Sequence, residues 1–265
     1  MHKIIKQAAN PGSVGTLLFL TALATPLYAE ETEPTVTPYR PTLSNPADLS
    51  EPGWLEMEMG VQRIQGGSDL RRDSVPILAK LAFSENWGIL VGGELGISRT
   101  DMNNQIFSGN GDTTFLVKHR MPSATEGTAW GIEAGYKSPT APDTLGSGKT
   151  DYIVNGIFST VISENQLDLN FSATKLGVVA DGEGEIQYGW AAALAHNLND
   201  KWGVFGELSG VSRNATASQS QLMAGATYNW SKRVVFDAGA SWGLTKTSQD
   251  WTAFAGLSVL LGKLW

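Results

Sequence analysis

Hydrophobic and polar residues alternate through the last fifteen positions of the chain. Trp251, Ala253, Ala255, Leu257, Val259, Leu261 and Trp265 fall on one face, and Thr252, Gly256, Ser258 and Gly262 on the other. This is the two-residue period of a β-strand with one apolar side. Phe254 and Leu260 intrude on the small, polar face, and Lys263 breaks the apolar one. The same period recurs from Trp54 onward and predicts twelve strands, at approximately 54–63, 73–83, 87–98, 112–120, 129–137, 150–161, 167–176, 186–196, 202–211, 220–229, 234–243 and 251–262. Most have the length of about 9 to 11 residues that a tilted strand needs to cross the hydrocarbon of a bilayer. Short connections such as Ser84-Glu85-Asn86 and Trp230-Ser231-Lys232-Arg233 take turns with longer ones such as 100–111 and 138–149.

An even strand count with alternating short turns and long loops predicts an all-β fold, a closed antiparallel transmembrane β-barrel with both termini on the periplasmic side. Tryptophans sort along this topology. Trp54, Trp87, Trp130 and Trp202 begin upward strands, Trp230 and Trp265 end downward ones, and Trp242 and Trp251 lie near the outer ends. Two interfacial aromatic belts are expected, because indole rings favour the headgroup level. Between the belts, Leu55, Met57, Met59 and Val61 oppose Glu56, Glu58 and Gln62, while Trp87, Ile89, Val91, Leu95 and Ile97 oppose Glu94 and Ser98. Carboxylates on the second face would cost several kcal/mol each in a dry sandwich core unless paired. That face is therefore expected to line a wet or ion-paired lumen.

Composition changes the picture at the amino end. Lys3 and Lys6, the apolar stretch 14–24 and Thr25-Pro26-Leu27-Tyr28-Ala29 predict a signal peptide over 1–29, cleaved after Ala29. Its removal leaves 17 basic against 26 acidic residues, a net charge of −9, which argues against nucleic acid as a partner. No cysteine is present, so disulfides and thiol chemistry are excluded. Residues 30–53 hold five of the eleven prolines and no sustained hydrophobic period. They are expected to form a periplasmic leader, the alternative being a partial plug in the mouth of a barrel that spans 54–265.

The predicted inward phase collects Glu56, Glu58, Glu94, Asp112, Glu133, Asp151, Asp168, Glu207 and Asp237 against Lys80, Lys118, Arg120 and Lys137. These are the candidate lumen-lining residues. As a channel lining they would favour cations or neutral solutes; as a structural network they would fill the barrel. Leu78, Leu90, Leu116, Ile153, Ile157, Phe205 and Phe254 also fall inward, as an apolar patch for a solute or as packing. Basic residues at the outer rim, including Arg63, Arg71, Arg72, Arg99, Lys175 and Arg213, are candidates for outer-leaflet lipid phosphates. After loss of the signal peptide only His119 and His196 remain, both at periplasmic strand ends, and neither a G-x-S-x-G elbow nor an H-E-x-x-H pair occurs. No enzyme, cofactor or metal site is expected. Asn103-Asn104 and Asn110-Gly111-Asp112 read as turns rather than calcium ligands.

A chain that ends on an aromatic after alternating hydrophobes resembles the C-terminal signal of bacterial outer-membrane barrels, which the barrel assembly machinery reads. Several stretches are similar to one family in particular. Arg40-Pro41-Thr42, Pro52-Gly53-Trp54-Leu55-Glu56-Met57-Glu58-Met59-Gly60, Gly111-Asp112-Thr113-Thr114-Phe115-Leu116-Val117-Lys118 and Gly146-Ser147-Gly148-Lys149-Thr150-Asp151 resemble the outer-membrane transporter family of the MetA pathway of phenol degradation. So do Gly225-Ala226-Thr227-Tyr228, Asp237-Ala238-Gly239 and Ala255-Gly256-Leu257-Ser258. Gly135-Tyr136-Lys137-Ser138-Pro139-Thr140 departs from the pattern, with serine before the proline-threonine pair. The resemblance implies a bacterial outer-membrane location among lipids and lipopolysaccharide. It also implies passive passage of small hydrophobic or aromatic organic solutes; a structural or interaction barrel with a plugged lumen is the alternative, and an outer-membrane hydrolase is the weaker one. Deleting Trp265 is expected to reduce assembly into the membrane, read as a lower yield of the heat-modifiable folded form; an unchanged yield would count against the terminal signal.

Overall fold

Every one of the twelve alternating segments becomes a strand. The computed structural model describes residues 33–265, and the expected signal peptide lies outside them. The strands are β1 (Trp54–Gln65), β2 (Arg71–Ala82), β3 (Trp87–Thr100), β4 (Ile106–Gly109), β5 (Thr113–Pro122), β6 (Ala129–Ser138), β7 (Asp151–Ile162), β8 (Asn165–Lys175), β9 (Ile186–Asn197), β10 (Trp202–Arg213), β11 (Gln219–Ser231), β12 (Val234–Gly243) and β13 (Trp251–Lys263). The twelve strands other than β4 pair antiparallel in chain order, β3 directly with β5, and β1 pairs with both β2 and β13. That last pairing closes the sheet and leaves no open edge in the barrel wall.

Twelve strands form the wall; the thirteenth, β4, was not predicted. It pairs only with the outer end of β3 and extends that strand into a hairpin above the barrel. Asp101 holds its turn by accepting the backbone N–H groups of Gln105 and Asn103. These hydrogen bonds, that from Gln105 foremost, keep the carboxyl below its ordinary pKa.

The outward face is apolar along the whole circumference, with Val61, Ile89, Val117, Ile132, Val154, Phe171, Leu194, Leu208, Leu222 and Phe236 all exposed. So continuous an apolar surface has lipid, not water, as its solvent. Trp87, Trp130, Trp202, Trp230, Trp242, Trp251 and Trp265 are exposed with it, and Trp242 lies opposite Trp251 across the β12–β13 ladder. Trp54 departs from the expected belt. It turns inward and packs on the buried cluster of Val36, Val235 and Leu260, with the Arg233 guanidinium 4.5 Å from its ring.

Ile97 also departs from its expected face. The β2–β3 register shifts between Asp73 and Val75, where Gly96 adopts a φ of 53° and β3 gains a bulge. One extra residue reverses the side-chain alternation beyond it, so Leu95 is exposed to lipid while Ile97 is 1% exposed inside.

The proline-rich segment, expected as a periplasmic leader or a partial plug, lies against the barrel wall. Residues 33–53 belong to the same compact unit as the barrel rather than trailing from it. Val36 donates its N–H to Lys232 O at the periplasmic turn between β11 and β12. The chain then rises to mid-barrel, crosses, and descends until Gly53 donates to Ala82 O. Prolines limit regular pairing along the segment, so its backbone groups are free for lumen side chains to bond.

Space around an added Cβ at Gly96 is open, so substitution there tests the backbone alone. Gly96→Val is expected to destabilise the folded barrel by about 1–2 kcal/mol, read as a lower urea midpoint by tryptophan fluorescence in detergent micelles.

Candidate functional site

The periplasmic half of the lumen is filled by the entering segment, and the lumen side chains bind its main chain. Glu58, from β1, accepts the N–H groups of Tyr39 at 2.7 Å and Arg40 at 2.9 Å. Glu56 accepts that of Thr37 at 3.1 Å, and Glu207, from β10, accepts those of Leu43 and Ser44, each at 2.8 Å. Lys80 pairs with Glu56 at 2.7 Å and with Glu58, and donates to Thr37 O. Lys118 pairs with Glu133 at 3.2 Å and donates to Pro46 O.

Tyr39 is the hub of this layer. Its ring lies 3.8 Å from the Lys80 ammonium and 4.1 Å from that of Lys118, a geometry in which the π-face attracts both cations. Its hydroxyl accepts from Lys118 and donates to Asp48 O. Arg40 pairs in bidentate fashion with Asp237 at 3.0 and 3.2 Å. Its guanidinium lies flat on β1 and β13 because Gly60 and Gly256 lack side chains; a Cβ at either would stand 2.6 Å from an Arg40 nitrogen. Further along, Asn45 donates its N–H to Asn170 and its side-chain amide to Glu133, and Ala47 donates to Ser159. Glu56, Glu58, Lys80, Lys118, Glu133 and Glu207 are each no more than 2% exposed. At this level the lumen is dry and packed.

Above the segment the lumen opens into a cavity of about 360 Å³. Leu43 lies at its floor, Asn155, Asn170, Ser172, Ser209 and Gln221 on its walls with Ile153 and Val211, and Ser248 and Gln249 at the outer loop. Glu133 borders it from below, already engaged by Lys118, Asn45 and Asn155. This cavity, a vestibule entered from outside, is thus lined by amides, hydroxyls and aliphatic groups.

The remaining predicted lumen residues form separate groups. Lys137 bridges Asp112 at 3.0 Å and Asp151 at 2.9 Å near the outer end. Glu94 accepts from Gln62 and Ser74 and pairs with Arg72. Asp168 accepts from Gln166 and Ser159, and Arg120 pairs with Asp48 at 2.7 Å. The surplus of acid counted from the strands is therefore taken up by Arg72, at the outer end of β2, and by Arg40 and the segment's N–H groups, neither of which strand alternation places inside. Sequence reasoning missed Tyr39 and Arg40. Their signal was the Arg40-Pro41-Thr42 motif, which spacing alone does not locate in space.

Of the apolar inward residues, Leu90, Ile157 and Phe205 are buried, and Ile157 packs with Ala47 and Ala129 beneath the segment. His119 stacks on Trp87 with centroids 4.1 Å apart at the periplasmic rim. Rim cations have acidic partners: Lys175 with Glu185 at 3.7 Å, Arg99 with Asp69 at 3.1 Å, Arg213 with Glu183 at 2.8 Å. Among the described residues no cluster of three potential metal ligands occurs.

The family model described as "Putative MetA-pathway of phenol degradation" matches residues 45–261. No curated protein matches the sequence. Among solved structures, an outer membrane channel from Pseudomonas putida F1 is similar, with a TM-score of 0.64 and 10% identity over 81% of this chain and 98% of that one. The KdgM porin is similar with a TM-score of 0.55 and 9% identity, over 78% and 99% of the two chains, and it has also been solved in complex with disordered oligogalacturonate. At these identities the likeness is one of fold.

Replacing Lys80 by Met leaves Glu56 and Glu58 buried without their shared cation. A loss of about 3–5 kcal/mol is expected, measured as a lower guanidinium midpoint in micelles, and partly recovered in the triple variant that adds Glu56→Gln and Glu58→Gln.

Proposed function

We propose, from the premise that this chain belongs to the family described as "Putative MetA-pathway of phenol degradation", that it is a passive outer-membrane channel for small, uncharged organic solutes. The observation that carries the reading is the vestibule: a cavity of about 360 Å³ inside a lipid-facing barrel, lined by amide, hydroxyl and aliphatic groups. Such a lining forms hydrogen bonds with neutral solutes and solvates apolar bodies at once, and its carboxylate neighbour is already neutralised. A charged solute would gain no counter-ion there to offset its desolvation.

The segment 33–53 acts as the barrier at the periplasmic end, and passage requires it to shift. The density of its hydrogen bonds with the wall favours a second reading, in which the lumen stays plugged and the barrel serves structure or interaction. No catalytic role is assigned: the two histidines lie at the periplasmic strand ends, apart from the vestibule. Lipids of the outer membrane, and the assembly machinery acting through β13, complete the expected partners.

Liposome swelling and planar-bilayer conductance separate the two readings. The whole mature chain is expected to pass small neutral aromatics faster than anions of equal size, and deletion of residues 34–50 to raise conductance severalfold. A deletion variant that conducts no better than the full chain would remove the segment as the barrier. Absence of solute leak from the full chain, with leak from the deletion variant and folding verified by heat-modifiable mobility, would leave the plugged barrel.

A further inference from the structure

A groove on the lipid-facing side of the wall, remote from the vestibule, joins an apolar trough to a cationic rim. The β1–β2 ladder is continuous in register but lacks the pairs that Gly60 and Val61 would make with Pro76 and Val75. Pro76 has no N–H to give, and the bulge at Gly96 displaces the strand on the other side. On the opposite flank β13 presents only methyl groups, at Ala253 and Ala255, below Trp251. The outcome is a cavity of about 600 Å³ walled mainly by Val61, Val75, Ala253, Ala255 and Trp251. It lies in the outer half of the wall, since Trp251 faces Gln65 at the outer end of β1.

Directly above the trough, Arg63 and Arg71 both pair with Asp73. Two guanidiniums share one carboxylate, leaving a charge of +1, and their side chains remain 49% and 47% exposed. Both arginines share the outward face with Val61, so cation and trough open to the same phase. Guanidinium forks suit phosphate oxygens, and an aliphatic trough below them suits an acyl chain.

We infer that this groove binds a phosphorylated, acylated lipid of the outer leaflet, with its phosphate on Arg63 and Arg71 and one acyl chain seated along Val61, Val75, Ala253 and Ala255. The inference rests on the barrel's lying in the outer membrane and is independent of solute passage. Its consequence is a fixed lipid beside the gap in the β1–β2 ladder, in place of the missing strand contacts.

The test is native mass spectrometry of the full mature chain in detergent, with diphosphorylated lipid A and phosphatidylcholine as competing probes. One retained lipid A per chain is expected, with phosphatidylcholine displaced. Arg63→Gln with Arg71→Gln is expected to lower retention about tenfold by removing charge-assisted hydrogen bonds. Ala253→Phe is expected to lower it by filling the trough while leaving the rim charge intact. Both changes face lipid or the rim, and heat-modifiable mobility verifies that the barrel forms. Equal retention of phosphatidylcholine, or retention unchanged in either variant, would overturn the assignment.

Discussion

Charges inside this barrel survive because an irregular backbone comes in to meet them. A carboxylate or ammonium removed from water costs several kcal/mol unless it is paired and its remaining donors and acceptors are bonded. The layer around Tyr39 meets that condition from three sources: Lys80 and Lys118 from the wall, Glu56, Glu58 and Glu133 facing them, and N–H and C=O groups of residues 37–46 between. Wall and segment are therefore incomplete without one another. Remove the segment and Glu207 and Glu58 lose backbone donors; remove the wall and the segment has no partner for its peptide groups.

The wall itself is shaped by a few positions where side chains are missing or the ladder slips. Gly60 and Gly256 admit the Arg40 guanidinium against the strands, placing it over Asp237. Gly96 and Pro76 loosen the outer part of β1, β2 and β3, turn Ile97 inward and open the trough beneath Arg63 and Arg71. Features of this kind concentrate on one side of the barrel, whereas β7 to β10 pair without interruption.

Two consequences follow for function. The lumen is divided into a dry, ion-paired periplasmic half and a vestibule whose lining carries amides and hydroxyls in place of free charge. On the proposed reading, neutral solutes are selected in the outer half and passage is controlled in the inner half. A barrel of twelve strands has little interior to spare, so one extended segment is enough to close it.

Period-two alternation by itself determined the number of wall strands, their ends to within a few residues and the sorting of lipid-facing from inward side chains, because each residue's face in a regular strand depends only on its neighbours in the chain. It set the expected inward phase of the carboxylates and lysines for the same reason. Tertiary structure decided what those charges meet. Tyr39 and Arg40 sit in a stretch with no period, and their partners lie as far along the chain as Asp237, so no local pattern encodes the contact. It also decided Ile97 and Trp54: one bulge reverses the alternation for the first, and the second turns to the cluster that Val36 forms with Val235 and Leu260. A face read from sequence holds only as far as the register holds, and register is a property of the paired strands.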